Sequence, residues 1–151
     1  MHPIVNIAIR AARRAGDIIV RSLNRLESLD VSTKGPHDFV SEVDHQAEAE
    51  IIKIIHKAYP GHAVLAEESG AQGEAEFCWI IDPLDGTTNF LHGFPQFAVS
   101  IAVQYRGRME HGVIYDPLRQ ELFTASRGAG AQLNERRIRV SKTRTLESAL
   151  I

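Results

Sequence analysis

The chain has little of what marks secreted, membrane-spanning or nucleic-acid-binding proteins. Its 151 residues contain one cysteine, Cys78, so no internal disulfide can form, as is usual in a reducing compartment. The formal net charge is −2, which provides no overall attraction to nucleic acid or to an anionic membrane. No apolar run approaches the roughly 20 residues that cross a bilayer, and residues 1–4 lack the basic and apolar regions of a signal peptide. The expectation is a soluble, cytoplasmic protein.

The composition is that of a globular protein, with 44% apolar and 24% charged residues. A chain of this length forms about one domain and can bury a sizeable core. Apolar residues recur at helical spacing over residues 3–26, which predicts an amphipathic helix whose arginines face solvent. Residues 30–40 have the composition of a loop. Ser41 and Asp44 then predict the start of a second helix, which ends at Pro60.

The second half of the chain has the shorter hydrophobic period of strands, and turn residues separate its segments. The strand candidates are 63–66, 77–81, 97–105, 112–115, 121–125, 131–133 and 137–140. Segment 77–81 is continuously apolar, so we expect it to be buried on both faces. Two helices followed by a meander of mainly antiparallel strands predict an α+β fold, with the helices packed on the sheet.

Three acidic side chains stand where two of these strands end. Glu67 follows strand 63–66, Asp82 ends strand 77–81, and Asp85 lies in the turn after it. If the two strands are neighbours, their ends bring Glu67 and Asp82 to one place. Close carboxylates repel one another unless they are protonated or bound to cations. Because all the ligand atoms are oxygens, Mg²⁺, Mn²⁺ or Ca²⁺ is favoured over zinc.

Gly86, Thr87 and Thr88 come next, at the start of a short predicted helix. Backbone N–H groups at a helix N-terminus suit a phosphate ester, and a glycine lets the phosphate approach the backbone. A simpler interpretation is that the two aspartates cap a turn and the glutamate lies on the surface. Capping contributes only about 1 kcal/mol and does not explain the glycine. The sequence therefore favours a site for cations and a phosphate.

Three segments resemble motifs of the inositol monophosphatase family of magnesium-dependent, lithium-sensitive phosphatases. They are residues 38–44 (DFVSEVD), preceded by Lys34, residues 67–69 (EES) and residues 79–90 (WIIDPLDGTTNF). They occur in the family's order and at about its spacing. In detail the chain is most similar to bacterial inositol-1-monophosphatases of the SuhB type. Ala66 departs from the family pattern, which usually has glycine there.

The resemblance implies a layered α/β sandwich of the inositol monophosphatase and fructose-bisphosphatase superfamily, with two or three Mg²⁺ ions. Glu67, Asp82 and the Leu84 carbonyl would bind the first ion. Asp82 and Asp85 would share the second. Asp44 would hold the water shell of a weaker third ion and so take part in catalysis.

The implied reaction is hydrolysis of a small phosphorylated polyol, myo-inositol monophosphate, by a metal-activated water without a phosphoenzyme. The Gly86 and Thr87 amides would hold the phosphate, and Asp85 would face the inositol hydroxyls. Glu67 with Thr87 would orient or deprotonate the attacking water. Glu67 and the Leu84 carbonyl would also border the bound substrate.

A later Trp-Asp-x-Ala-Ala-Gly motif of the family has no match here, because the only tryptophan is Trp79. We therefore expect residues 1–151 to be the N-terminal metal- and phosphate-binding portion of a longer phosphatase. Its C-terminal domain would be absent, and the piece alone would show little turnover.

Two alternatives remain open. The substrate could be another small phosphate, such as a nucleotide 3′-phosphate or fructose bisphosphate. Bacterial relatives are also implicated in antitermination of ribosomal RNA transcription, through RNA polymerase and Nus factors. The chain has no RNA-recognition motif, so such a role would use protein contacts. A homodimer is implied by the family alone.

Overall fold

The computed structural model describes residues 2–26 and 35–149. Lys34 and the first part of the predicted loop 30–40 lie outside these residues. Helix α1 spans Pro3–Leu26, as the sequence predicts. No helix in the described part of the chain combines the length and apolar content that a membrane crossing requires.

Helix α2 spans Pro36–Ala58 and so begins before Ser41, where the sequence predicts its start. Gly35 is its N-cap residue, and Pro36 occupies the first turn. The missing N–H of proline costs nothing there, and its fixed φ suits a helix. The glycine and proline that suggest a loop therefore mark a helix N-terminus. The end of α2, just before Pro60, agrees with the prediction.

The strands follow in the second part of the chain. They are β1 (Ala63–Ala66), β2 (Gly70–Gln72), β3 (Phe77–Asp85), β4 (Ala98–Tyr105), β5 (Arg108–Asp116), β6 (Glu121–Ser126), β7 (Gly130–Leu133) and β8 (Arg136–Ile138). They form one sheet in the order β2-β1-β3-β4-β5-β6-β7-β8. Among these described strands, β1 and β3 pair in parallel and all other neighbours pair antiparallel. The α+β prediction is confirmed.

Strand β3 differs from its prediction in length and in burial. It continues through Pro83 to Asp85, where the sequence predicts a stop. Its register with β4 shifts between Asp82 and Asp85, and this irregularity accommodates a proline that has no N–H to give to the ladder. The expectation of burial on both faces is wrong. Trp79 faces the helices and is 0% exposed, whereas Cys78 on the other face is partly exposed.

One hydrophobic core lies between the helices and the sheet, and Ile19, Ile51 and Trp79 in it are 0% exposed. Helix α1 approaches β5 closely at Gly16, where a Cβ atom would come within 2.7 Å of the Tyr115 ring. Helix α2 packs on α1 and β3 and also contacts α3, a short helix over Thr87–Leu91. This packing brings the first half of α2 to the end of β3 that carries the predicted site.

Candidate active site

Glu67 and Asp82 meet because β1 and β3 run in parallel. Ala66 is paired with Ile81, and the Glu67 N–H donates to the Ile81 carbonyl at 3.1 Å. The next residue of each strand therefore lies at the same edge of the sheet, and the Asp82 carboxyl shares a hydrogen bond with Glu67. The two strands are neighbours in the sheet, which is the condition under which the sequence places Glu67 and Asp82 together.

Asp82 combines partial exposure with a strongly raised pKa. Its Oδ1 atom is buried and has no hydrogen-bond partner among the described residues. Burial, the hydrogen bond with Glu67 and the charges of Glu67 and Asp85 raise the pKa of Asp82 from 3.8 to about 7, although the Leu84 amide opposes the shift. A buried carboxylate oxygen without a donor is costly unless a proton or a cation satisfies it.

Asp44 reaches the same place from helix α2. The side chain is buried, and desolvation raises its pKa from 3.8 to about 7, with the charges of Glu68, Glu67 and Asp82 adding to the shift. Asp44 and Glu68 line a cavity of about 270 Å³ together with Thr87. The structure therefore brings Asp44, Glu67 and Asp82 into one electrostatic cluster beside an open cavity.

The residues after Asp82 lead from the end of β3 into helix α3. Asp85 is the exposed last residue of β3. Gly86 caps α3 with φ of 94°, and a Cβ atom there would lie 2.9 Å from the Gln96 carbonyl oxygen. The Thr87 hydroxyl donates to the Leu84 carbonyl at 3.0 Å. Glycine is thus required for two reasons, backbone conformation and space.

A further acidic residue, Glu48, takes part in the site without having been singled out by its sequence pattern. It is 3% exposed, and its two carboxylate oxygens accept the N–H groups of Glu68 and Ser69 at 2.8 and 2.9 Å. One signal could have indicated it. Glu48 follows Asp44 by one helical turn, so both acids lie on the face of α2 that its apolar residues bury.

The donor set fits a hard divalent cation by its chemistry. Within residues 2–26 and 35–149, no three His, Cys, Asp or Glu side chains are already gathered into a metal cage. The charges act across this group all the same: Asp44 is influenced by Glu68, Glu67 and Asp82, and Asp82 by Glu67 and Asp85. The side chains offer the oxygen ligands that Mg²⁺ prefers. A bound cation would also give the unpartnered Asp82 Oδ1 atom a partner and offset the repulsion that raises the pKa values of Asp44 and Asp82.

Comparison with known proteins identifies the family. The profile of the inositol monophosphatase family matches residues 1–151, which is the whole chain. The chain belongs to the inositol monophosphatase family. The resemblance of the motifs at residues 38–44, 67–69 and 79–90 to this family is thus confirmed.

Individual relatives agree with this assignment. The Nus factor SuhB of Pseudomonas aeruginosa is 57% identical over 155 residues, an alignment that covers 100% of this chain and 57% of that protein. The structure of the extragenic suppressor protein suhB from Bartonella henselae matches with a TM-score of 0.86 and 45% identity, over 97% of this chain and 57% of that one. The structure of an inositol monophosphatase from Anabaena (Nostoc) sp. PCC 7120 matches with a TM-score of 0.80 and 41% identity, over 93% and 50% of the two chains. This member of the inositol monophosphatase family spans about half the length of these relatives, between 50% and 57% of each.

Proposed function

We propose that the protein containing this chain is a Mg²⁺-dependent, lithium-sensitive phosphatase that hydrolyses myo-inositol monophosphate to inositol and phosphate. The observation that supports this most directly is the buried, unpartnered Oδ1 atom of Asp82 beside Glu67. Family membership supports phosphatase chemistry, and the Anabaena relative is named as an inositol monophosphatase. The chain would form the N-terminal metal- and phosphate-binding portion of a cytoplasmic homodimer.

The proposed cation ligands come from the end of β3 and the turn after β1. Glu67, Asp82 and the Leu84 carbonyl would hold one Mg²⁺, Asp82 and Asp85 a second, and Asp44 the water shell of a third. When bound, Mg²⁺ would lower the pKa of a water molecule and neutralise charge on the ester. Binding would also relieve the mutual repulsion that raises the pKa values of Asp44 and Asp82.

The residues of the chain would orient the water and the phosphate. The Thr87 hydroxyl proton is engaged with the Leu84 carbonyl, so the Thr87 oxygen would interact with the attacking water only as an acceptor. Glu67 would accept the other proton of that water as the new P–O bond forms. The ester P–O bond to inositol would break in the same step, and the leaving alkoxide oxygen would take a proton from solvent water. The backbone N–H groups of Gly86 and Thr87 would bind the phosphate oxygens, and the exposed Asp85 would face the inositol hydroxyls.

The test is phosphate release from inositol 1-phosphate by the full-length protein, with and without Mg²⁺. Asp85→Asn should lower the rate by orders of magnitude and leave the melting temperature close to that of the wild type, because Asp85 is exposed. Asp17→Asn is the matched control, since Asp17 is exposed on α1. Wild-type turnover by Asp85→Asn would show that this assignment is wrong.

A second candidate function is supported by the name of the Pseudomonas relative, which is a Nus factor. In that role the protein would bind RNA polymerase or Nus factors during ribosomal RNA transcription, without catalysis. One variant distinguishes the two candidate functions. Asp82→Asn should abolish hydrolysis, and if it also abolishes antitermination in cells, a purely binding role is excluded. Retention of antitermination by that variant would favour the binding role.

A further inference from the structure

Glu48 is a buried carboxylate to which the proposed reaction gives no task. It lies on α2, one helical turn after Asp44, and it is 3% exposed. Its Oε2 atom accepts the Glu68 N–H at 2.8 Å, and its Oε1 atom accepts the Ser69 N–H at 2.9 Å. Both bonds connect α2 to the turn between β1 and β2, which is the segment that carries Glu67.

The main chain around Glu67 is thereby held from two sides. The Glu67 N–H donates to the Ile81 carbonyl of β3, and the next two N–H groups donate to Glu48. Buried backbone N–H groups need acceptors, and bonds to an ionised carboxylate are roughly twice as strong as bonds between neutral groups. Removal of the Glu48 acceptor would release two of these three consecutive anchors and leave Glu67 attached only through β3.

We propose that Glu48 is a positioning residue for the cation site, which it serves by holding the 67–69 turn so that Glu67 stays beside Asp82. This inference rests on the proposed function, because it assigns Glu48 an effect on cation affinity that acts through Glu67. Glu48 itself contacts neither the substrate nor the ion. Residues that orient metal ligands typically change metal affinity roughly 10–100-fold when they are replaced.

The test compares Glu48→Gln with Glu50→Gln in the full-length protein. Glutamine keeps the shape of the side chain but replaces one acceptor oxygen with an NH₂ donor, which cannot accept a backbone N–H. Glu50 lies on the same helix and pairs with Arg14 and Lys53 near the surface, so it is a matched control. Glu67→Gln serves as the reference for loss of a proposed ligand.

Two readouts are independent of catalysis. Hydrogen exchange in the metal-free protein should be faster in Glu48→Gln at whichever of the Glu68 and Ser69 amides faces the new NH₂ group, and unchanged in the Glu50 control. Titration with Mn²⁺, followed by electron paramagnetic resonance, should give a dissociation constant about tenfold higher in Glu48→Gln and unchanged in the control. Mn²⁺ is a suitable probe because it takes the same oxygen ligands as Mg²⁺.

The outcomes separate this inference from the proposed function. If Glu48→Gln binds Mn²⁺ as tightly as the wild type while Glu67→Gln does not, the positioning role is wrong and the proposed site stands. If the wild type shows no saturable Mn²⁺ binding, both are wrong. Should Glu48→Gln fail to fold, Glu48→Asp provides the comparison, because it keeps the charge but shortens the reach and should also weaken Mn²⁺ binding. Suppose that, in Glu48→Asp, the Glu68 and Ser69 amides exchange as fast as the amide of exposed Gly107, which would show that the turn has been released. If this variant still binds Mn²⁺ as tightly as the wild type, the inference is wrong.

Discussion

Replacement of Asp82 by asparagine should stabilise the protein when divalent cations are removed. Burial and the neighbouring carboxylates raise the pKa of Asp82 to about 7, so at about pH 8 the folded protein carries a charge that its surroundings disfavour. Asparagine has nearly the same shape. Its amide group can donate to Glu67, which removes the repulsion between the two carboxylates.

The size of the gain follows from the pKa difference. A pKa of 3.8 in the unfolded chain and about 7 in the folded protein corresponds to roughly 4 kcal/mol if nothing screens the charge. Asp82 is partly exposed, so we expect about 1–2 kcal/mol, or a rise in melting temperature of about 2–8 °C. Between about pH 3.8 and about pH 7, Asp82 binds a proton in the folded protein but has lost it in the unfolded chain. The wild type should therefore lose stability as the pH rises through this interval, and the gain from asparagine should vanish near pH 4.

Addition of Mg²⁺ should reverse the order of the two proteins. A ligand at about a hundred times its Kd stabilises the folded state by about 2.7 kcal/mol, and the asparagine variant should gain little of this. The assay is thermal unfolding at about pH 8, first with EDTA and then with saturating Mg²⁺. Asp17→Asn should behave as the wild type in both conditions. A variant that is less stable than the wild type in EDTA, or that gains the full Mg²⁺ effect, would refute the reasoning.

Two further predictions concern the backbone and the aromatic core. Gly86→Ala should lower the free energy of unfolding by about 2 kcal/mol or more, measured in urea, because strain at positive φ adds to the contact with the Gln96 carbonyl. Gly107 also has a positive φ, 79°, but open space around it, so Gly107→Ala should lower the free energy of unfolding by only about 1 kcal/mol. Equal losses in the two variants would show that the contact with the Gln96 carbonyl has no effect. His62 accepts the Trp79 indole N–H at 3.0 Å and burial lowers its pKa, so stability present above about pH 6.5 should fall as His62 protonates on acidification. His62→Gln should flatten this part of the melting-temperature profile, and an unchanged slope would mean that other groups cause it.

The parts of the fold that the sequence predicts are those with strong local patterns. The stripe of α1 and the alternation in β4 are set by burial of one face, so their periodicity is visible along the chain. Strand β2 is not predicted, because Gly70–Gln72 has no alternation and is held by its pairing with β1. The extension of β3 through Pro83 depends likewise on a shift in register against β4.

The candidate site also has a part that the sequence predicts and a part that it does not. The clustering of Glu67 and Asp82 is predictable, because the acids directly follow two apolar segments and the motifs resemble a known family. The roles of these residues as ligands stay predictions. The part played by Glu48 is not predictable from local pattern, since it is defined by contacts to amides about 20 positions along the chain. A buried acid on an apolar helix face indicates only that some partner must exist.

The position of the site follows from the one parallel pair among the described strands. Parallel neighbours end at the same edge of a sheet, so Glu67 after β1 and Asp82 in β3 come together without any loop to guide them. Across the antiparallel pair on the other side, Asp82 faces Ser100 near the start of β4, and the register shift there allows β3 to turn toward Gly86. The crossing of α2 over this edge then adds Asp44. Three separate elements thus supply the acids, and the stability lost to their mutual repulsion is tied directly to the proposed binding site.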